Sequence, residues 1–192
     1  LNQKLPKVIL LTGEKGIGKF TLINHLIISY YDKENYNLSE KKILKKNKFF
    51  ENLSKDLISN VIFLKSNDFK NINIEAVREL KNKLQKKPLY NDKRFVVLDN
   101  VETFNTNSIN ALLKIIEEPN DNDYFFLINN KTKPLIDTLK SRCLEFKIIL
   151  NNNQRREITN FLMDAHNQKT IIDQDKIKIS PGNFLKFNII LN

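Results

Sequence analysis

Short unbroken runs of apolar residues recur along the first 150 positions of the chain, and amphipathic segments separate them. The first run covers residues 8–11 and is closed by Thr12 and Gly13. A continuous apolar run of this length predicts a strand that is buried on both faces, as in a parallel sheet. Further runs predict four more strands within residues 60–64, 94–99, 124–130 and 139–150, and the last of these opens with a turn that contains Arg142.

Between these strands, apolar residues recur at the spacing of an α-helix. The pattern predicts one helix from near Gly18 to near Asp32 and a second that follows the N-cap residue Asn73. A third predicted helix stops at Pro119, because proline cannot continue a helix and restricts the residue before it. Strands that alternate with helices favour a doubly wound α/β sheet over residues 1–150.

The pattern changes after Leu150. A polar segment at residues 151–153 is interpreted as a linker, and an amphipathic helix is predicted over residues 155–168. A further helical segment is predicted over residues 171–192, around Ser180–Gly182. We interpret residues 151–192 as the beginning of a small helical domain.

The composition adds a strong positive charge, with 32 basic and 22 acidic residues and a net charge of +10. Such a surface raises non-specific affinity for phosphate backbones. Only five of the basic residues are arginine, however, and lysine, asparagine and isoleucine are abundant throughout, as an AT-rich coding sequence would give for any function. For the Lys-rich residues 32–60, a solvated insertion is therefore favoured over a DNA-contacting loop. Because arginine is scarce, we expect each arginine to be retained for a specific role.

Membrane and disulfide classes are not supported by the sequence. No apolar run approaches the roughly 18 residues that a membrane helix needs, and the N-terminus has no signal-peptide pattern. We therefore expect a cytoplasmic protein without a membrane partner. The single cysteine, Cys143, excludes an internal disulfide and a multi-cysteine zinc site, and no metal site is predicted. A chain that begins with Leu1 and ends without an obvious finish is expected to be a fragment of a longer protein.

The clearest chemical motif is the glycine-rich turn between the first strand and the first helix. Gly13, Gly18 and Lys19 fit the P-loop pattern G-x-x-x-x-G-K-[ST], and Gly16 is an additional loop glycine. The backbone N–H groups of such a turn point at phosphate oxygens, and the lysine adds a positive charge. The next residue should carry the hydroxyl that ligates Mg²⁺, but it is Phe20.

Two further positions bear on hydrolysis. Thr21 is the nearest alternative hydroxyl, but one more residue along a helix is rotated by about 100°, so we expect its side chain to point away from the phosphate position. At the end of the third strand, Asp99 is followed by Asn100 instead of a glutamate that would help to polarise the attacking water. The departures at Phe20 and Asn100 both affect the hydrolytic step more than the phosphate cradle.

Five motifs are distributed along the chain. They are the P-loop, Val-Arg-Glu-Leu at 77–80, Val-Val-Leu-Asp-Asn at 96–100, Ser-Ile-Asn-Ala-Leu-Leu-Lys-Ile-Ile-Glu-Glu-Pro at 108–119 and Ser-Arg-Cys at 141–143. Together they resemble the bacterial clamp-loader AAA+ family, over roughly residues 5–187. The run Asn-Ala-Leu-Leu-Lys-x-x-Glu-Glu-Pro, followed by Ser-Arg-Cys, is far more specific than a P-loop alone. The resemblance implies a parallel five-stranded sheet of order 5-1-4-3-2 with helices on both faces. It also implies a helical lid, of which residues 151–192 are the first part, and a collar domain that this fragment lacks.

The resemblance also implies roles for individual residues. Arg142 matches an arginine finger that the family uses in trans, in the ATP site of a neighbouring motor subunit. The lid arginine that motor subunits use as a second sensor is missing from Ser180–Asn183, and the family's four-cysteine zinc module is missing from residues 32–60. Either Asn129 or Asn130 matches the sensor at the tip of the fourth strand. The positions of a nucleotide site, working or vestigial, are Gly13, Gly16, Gly18, Lys19, Thr21, Asp99, Asn129 and Asn130.

Other candidate residues are interpreted as structural. His25 is expected to be a packed or surface histidine, and Cys143 a small buried hydrophobe, because no histidine is nearby in sequence. Glu117 and Glu118 are expected to support packing and contact a neighbour, not to form a catalytic carboxylate pair. The alternative to the finger role of Arg142 is a surface salt bridge.

The resemblance therefore implies a non-hydrolysing, stator-like subunit that completes a partner's ATPase site. No cofactor is required, and binding of ATP or ADP without turnover stays open because the N–H cradle and Lys19 are retained. The expected partners are the motor and delta subunits of a hetero-pentamer, with the sliding clamp and primed DNA contacted indirectly. The alternatives are an ATP-hydrolysing motor subunit of the same family and a P-loop nucleotide or small-molecule kinase, in which the Arg142 turn would have no purpose.

Overall fold

The computed structural model describes residues 5–44, 48–65, 72–88, 92–174 and 177–191. Five of its strands form one parallel sheet, and two short strands form a separate antiparallel hairpin. In chain order the elements are β1 (Val8–Thr12), α1 (Lys19–Tyr31), β2 (Tyr36–Asn37), β3 (Lys42–Ile43), α2 (Lys48–Ser54), β4 (Val61–Leu64), α3 (Ile74–Gln85), β5 (Arg94–Leu98), α4 (Thr106–Glu117), β6 (Asp123–Asn129), α5 (Asp137–Lys140), β7 (Leu144–Lys147), α6 (Asn152–Ala165) and α7 (Pro181–Leu191).

The order of strands across the main sheet is β4-β5-β6-β1-β7. When only these five strands are numbered 1 to 5 along the chain and the sheet is followed from the β7 edge, the order is 5-1-4-3-2. The predicted order is therefore confirmed. β1 lies between β6 and β7, with Leu10 in register with Leu127 on one side and Glu145 on the other. Because the carboxyl ends of parallel strands meet at one edge of the sheet, the turns after β1, β5 and β6 lie together at that edge.

Helices cover both faces of the sheet, as the predicted doubly wound fold requires. Every residue of β1 and β5 is buried, in agreement with their unbroken apolar sequences. One face packs against α3 and α4 through residues such as Leu80 and Leu112, and the other packs against α1 and α2 through Ile27 and Leu53. Within the described ranges, the helices lack the length and apolar character that crossing a membrane requires.

The boundaries after β7 differ from the prediction. The supposed linker begins α6: the Asn151 side chain accepts from the Gln154 N–H, and the Gln154 side chain accepts from the Asn151 N–H. This reciprocal capping box makes Asn151 the N-cap of a helix that starts three residues earlier than predicted. The predicted helical segment over 171–192 was too long, because α7 starts at Pro181, and proline suits the first turn of a helix. α6 and α7 share a small core of their own around Met163 and Phe184.

The insertion predicted at residues 32–60 contains the hairpin of β2 and β3 and the helix α2. Its inner side packs on the α1 face of the sheet through Tyr36, Ile43 and Leu53. Residues 45–47, which include two of its lysines, lie outside the described residues. The described part is therefore anchored to the core along one side.

Candidate functional site

The loop between β1 and α1 has the conformation of a phosphate cradle. Gly16 and Gly18 have φ angles of +88° and +93°, a region that glycine adopts without the steric cost of a side chain. The Gly13 N–H donates to the Asn129 carbonyl at 3.1 Å, which joins the loop to the end of β6. α1 begins at Lys19, so the unpaired N–H groups of its first turn lie next to the loop.

Lys19 is turned back into this loop and is only 3% exposed. Its Nζ donates to the Gly13 carbonyl at 2.8 Å and to the Glu14 carbonyl at 2.7 Å. Burial lowers the pKa of the ammonium group to about 8, although the charges of Asp99 and Glu102 oppose this shift. The cation is thus satisfied by carbonyl oxygens of its own loop.

The lowered pKa predicts how replacement of Lys19 by methionine changes stability. Between pH 8 and the ordinary lysine pKa of 10.5, the folded chain binds fewer protons at this site than the unfolded chain, so Lys19 makes unfolding less favourable as pH rises. Below pH 8 both states are protonated, and the cost of burying the charge is present in full. The unfolding free energy of Lys19→Met minus that of wild type should therefore be larger at pH 7 than at pH 9.5.

Urea unfolding of both proteins at the two pH values measures this difference. Subtracting the wild-type values from those of the variant cancels the other groups that titrate above pH 8. A stability difference that is equal at pH 7 and pH 9.5 would contradict a lowered pKa for Lys19.

Phe20 stands at the position of the expected hydroxyl and belongs to an aromatic cluster. Its ring centroid lies 5.5 Å from that of Phe63, and the Lys65 Nζ lies 5.2 Å from the Phe20 centroid and 4.5 Å from the Phe63 centroid. A phenyl ring packed in this way offers no oxygen to a metal ion. Thr21, the alternative hydroxyl, is exposed.

Two amides meet an aspartate at the carboxyl edge of the sheet. The Asn130 Nδ2 donates to Asp99 Oδ1 at 3.1 Å and to Asn100 Oδ1 at 2.7 Å. Asn129 instead accepts from the Lys131 N–H at 2.9 Å, so Asn130 is the sensor candidate that reaches the acidic strand end. Asn100 has a φ of +55°, which asparagine tolerates better than most residues. At position 100, where the sequence pattern led us to expect a glutamate, this strand end therefore presents an amide and not a carboxylate.

Glu102 is a buried member of this cluster that the sequence analysis did not identify. Its Oε1 accepts from the Asn130 N–H at 3.1 Å and from the Thr132 hydroxyl at 2.8 Å. Its Oε2 is buried without a hydrogen-bond partner in the described part of the chain. Glu102 therefore ties the turn after β5 to the turn after β6. The only sequence signal was an acidic residue three positions after Asp99.

Arg142 lies in the turn between α5 and β7, with 37% of its side chain exposed. Its Nε donates to Glu117 Oε1 at 2.6 Å, and its Nη1 donates to the Thr138 carbonyl at 2.9 Å. The salt bridge named as the alternative role is thus present, and Glu117 has a partner within its own chain. An ion pair this exposed contributes little stability, so its main effect is to fix the direction of the guanidinium group.

The remaining sequence candidates have structural contacts. The Cys143 Sγ lies 3.1 Å from the Leu139 carbonyl, and burial raises the pKa of its thiol to about 12, which disfavours the nucleophilic thiolate. His25 Nδ1 lies 3.0 Å from the Tyr36 hydroxyl, and burial lowers the pKa of His25. Across the residues that the structure describes, His, Cys, Asp and Glu side chains do not gather in groups of three or more that could hold a metal ion.

The helices α6 and α7, which we call the lid, contact the P-loop directly. Arg155 of α6 donates from its two terminal nitrogens to the two Glu14 carboxylate oxygens, each at 2.9 Å. At the start of α7, the Gly182 N–H donates to the Gly16 carbonyl at 2.9 Å. The stretch predicted to replace the lid sensor, Ser180–Asn183, therefore lies against the loop. A cleft of about 700 Å³ opens beside it, lined by the loop, α1 and the lid.

Comparison with known proteins gives consistent matches to replication proteins. A family model described as DNA polymerase III, delta subunit, matches residues 1–152. The delta prime subunit of DNA polymerase III from Buchnera aphidicola subsp. Schizaphis graminum is 30% identical over 127 residues, which are 60% of this chain and 37% of that protein. The gamma subunit from the same organism is 27% identical over 160 residues, 83% of this chain and 42% of that protein. The chain therefore spans less than half the length of these relatives.

Solved structures with a similar fold are AAA+ P-loop proteins. A gamma subunit-related protein of DNA polymerase III from Thermotoga maritima has a TM-score of 0.56 at 19% identity, covering 83% of this chain and 48% of that chain. The RuvB Holliday junction branch migration motor of the same organism has a TM-score of 0.50 at 18% identity, covering 86% and 46%. At these identities the likeness establishes the fold alone.

Proposed function

The chain belongs to the DNA polymerase III delta-subunit family, and on that premise we propose that it acts as a non-hydrolysing subunit of a clamp loader. In this role it supplies Arg142 in trans to ATP held by a neighbouring motor subunit. Its partners are the motor and delta subunits of a hetero-pentamer, which loads the sliding clamp onto primed DNA. Its own P-loop does not turn over nucleotide.

The observation that carries this proposal is the chemistry of the chain's own loop. Phosphoryl transfer needs a metal ligand next to the P-loop lysine and a group that orients the attacking water. Phe20, which packs on Phe63, stands at the position of the metal ligand. The amide of Asn100 stands at the position of the group that would orient the water. The lid offers no side-chain cation at Gly182, whose backbone N–H contacts Gly16 instead. Each change removes a group that acts on the transferred phosphoryl.

The setting of Arg142 supports a role outside its own chain. Glu117 and Thr138 accept from Nε and Nη1, so one side of the guanidinium group is anchored. A planar guanidinium with a fixed direction suits bidentate contact with phosphoryl oxygens. The turn that carries it is exposed and lies in the chain segment that leads from the Asn130 cluster to β7.

The proposal predicts that the chain without partners does not hydrolyse ATP in the presence of Mg²⁺. The measurement is phosphate release at saturating ATP, with Lys19→Ala as the matched variant that removes the P-loop cation. Wild type and variant should both remain at the rate of the buffer. Phosphate release by wild type that disappears in Lys19→Ala would contradict the proposal.

One observation favours a second candidate, an ATP-hydrolysing motor subunit. The cradle itself is intact, with two glycines in the left-handed region and Lys19 in place. A motor subunit would have to find its metal ligand without a hydroxyl at position 20 and its base without a carboxylate at position 100. The assay of Lys19→Ala separates the two candidates, and a separate binding titration with ATP and ADP shows whether the cradle still holds nucleotide.

A further inference from the structure

We propose that the lid is held on the P-loop by direct protein contacts, so that its position does not depend on nucleotide. We call these contacts the latch. On the loop they involve Glu14, Lys15 and Gly16, and on the lid they involve Arg155 and the start of α7. Lids commonly close on a substrate that bridges them to the body of an enzyme. Here the bridge is made by the chain itself, and this inference goes beyond the finger role of Arg142 and does not rest on it.

The first part of the latch is an ion pair between residues 141 positions apart in sequence. Both terminal nitrogens of Arg155 donate to Glu14, in the bidentate geometry that gives such pairs their strength and direction. The pair is partly screened, with side-chain exposures of 23% for Arg155 and 54% for Glu14. The hydrogen bonds from Arg155 lower the pKa of Glu14, so the pair stays charged at neutral pH.

The second part of the latch joins donors at the start of α7 to backbone carbonyls of the loop. The first N–H groups of α7 lack acceptors within the helix. On the loop, the carbonyls of Lys15 and Gly16 face the start of this helix. The Gly182 N–H donates to the Gly16 carbonyl at 2.9 Å, the Ser180 hydroxyl donates to the Lys15 carbonyl, and Asn183 Nδ2 donates to the same oxygen at 3.3 Å. Donors of the helix start thus meet acceptors of the loop.

The approach is close enough to require glycine on both sides. A Cβ added at Gly16 would lie 2.5 Å from the Ser180 Oγ and 3.0 Å from the Asn183 nitrogen, and one added at Gly182 would lie 2.8 Å from the Gly16 carbonyl oxygen. Gly16 needs glycine for its positive φ as well. Gly182 has no positive φ and sits in a helix, where alanine is normally preferred by about 1 kcal/mol. At Gly182 the contact with the loop is therefore the reason for glycine.

The loop is also satisfied from the inside. Lys19 donates to the Gly13 and Glu14 carbonyls, so its charge has partners without a phosphate. With Lys19 on the inner side and the lid on the outer side, the backbone carbonyls of residues 13–16 all receive hydrogen bonds from the chain itself. The latch therefore fixes the lid relative to the sheet before any nucleotide arrives.

The direct test is amide hydrogen exchange by NMR at residue 182 in the chain, with and without Mg-ATP. This amide is in the first turn of α7, and its acceptor is the Gly16 carbonyl, so its protection reports the latch. In wild type, the exchange rates of this amide with and without Mg-ATP should agree within twofold. Gly182→Ala should exchange at least tenfold faster at this position, even though alanine favours the helix.

Variants of the ion pair keep the test valid if Gly182→Ala perturbs folding. Arg155→Glu and Glu14→Arg should each speed exchange at residue 182 severalfold, and the double variant with swapped charges should restore most of the protection. Glu157→Gln, at an exposed position of the same helix, is the matched control and should leave exchange unchanged. Protection that rises more than tenfold on addition of Mg-ATP, or unchanged exchange in Gly182→Ala, would overturn the proposal. Neither outcome bears on Arg142, which is tested in the assembled loader.

Discussion

Replacement of Arg142 by alanine is expected to lower ATP hydrolysis at the neighbouring site of the assembled loader by on the order of 10³-fold, the lower end of what arginine fingers contribute. A guanidinium group neutralises charge that develops on the transferred phosphoryl, and water replaces it poorly. The folded chain should be little affected, because the Arg142–Glu117 pair is exposed and contributes little stability. Single-turnover hydrolysis in the complex, with DNA and clamp present, measures the effect.

Three variants sharpen this prediction. Arg142→Lys keeps the charge but loses the planar fork, so it should recover only part of the rate. Glu117→Gln weakens the acceptor that orients Arg142 and should give a smaller loss than Arg142→Ala. Lys140→Ala is the matched control, because Lys140 is a nearby cation at the end of α5 that pairs with Asp137 at 3.0 Å, and the rate of this variant should equal wild type. An Arg142→Ala complex that hydrolyses ATP as fast as the Lys140→Ala complex would contradict the finger role.

Replacement of Arg94 by methionine is expected to cost about 3–5 kcal/mol of unfolding free energy, the usual loss when one partner of a buried ion pair is removed. Arg94 is 3% exposed, and its Nε and Nη2 donate to the two Asp123 oxygens at 2.8 and 2.9 Å. It also donates to the carbonyls of Leu84 and Lys86 at the end of α3, at 2.9 and 2.7 Å. Its loss would leave the buried Asp123 carboxylate without its cation, with Asn120 Nδ2 still donating to Oδ2 at 2.8 Å, and would remove the arginine donors from the last carbonyls of α3.

Urea unfolding measures this loss, and Arg78→Met is the matched control on α3. Arg78 is exposed, so the same substitution there should change the unfolding free energy by less than about 0.5 kcal/mol. Adding Asp123→Leu to Arg94→Met should recover part of the loss, because it removes the unpaired charge. A loss below about 1 kcal/mol in Arg94→Met would contradict a stabilising role for Arg94 between the sheet and the end of α3.

Much of the fold could be predicted because its signals are local. The strands are unbroken apolar runs between turns, and buried strands such as β5 need no alternation of polar residues. The N-cap Asn73 was also predictable, since its side chain accepts from the Ala76 N–H three residues later. Gly16 and Gly18 of the P-loop were recognisable for the same reason, because the positive φ angles of such a turn favour glycine. The sheet order came from the resemblance of motifs, because spacing along the chain does not determine which strands are neighbours.

The parts that could not be predicted depend on residues that are distant in sequence. Glu14 and Arg155 meet only because the lid folds back onto the loop, and Glu102 is buried only because the turns after β5 and β6 are neighbours. The start of α6 was missed because three consecutive asparagines suggest a loop, whereas Asn151 forms a capping box with Gln154. The expectation that scarce arginines are held by specific roles was correct for Arg94 and Arg155, whose partners are now visible.

We expect this chain to act on nucleotide held by another subunit and not on nucleotide of its own. The most direct test compares Lys19→Ala and Arg142→Ala in the same reconstituted loader, with all other subunits wild type, by the rate of ATP hydrolysis in the presence of clamp and primed DNA. The Lys19→Ala complex should keep the wild-type rate, and the Arg142→Ala complex should lose hydrolysis at the adjacent site. Loss of activity in the Lys19→Ala complex, together with full activity in the Arg142→Ala complex, would contradict a role for Arg142 in trans.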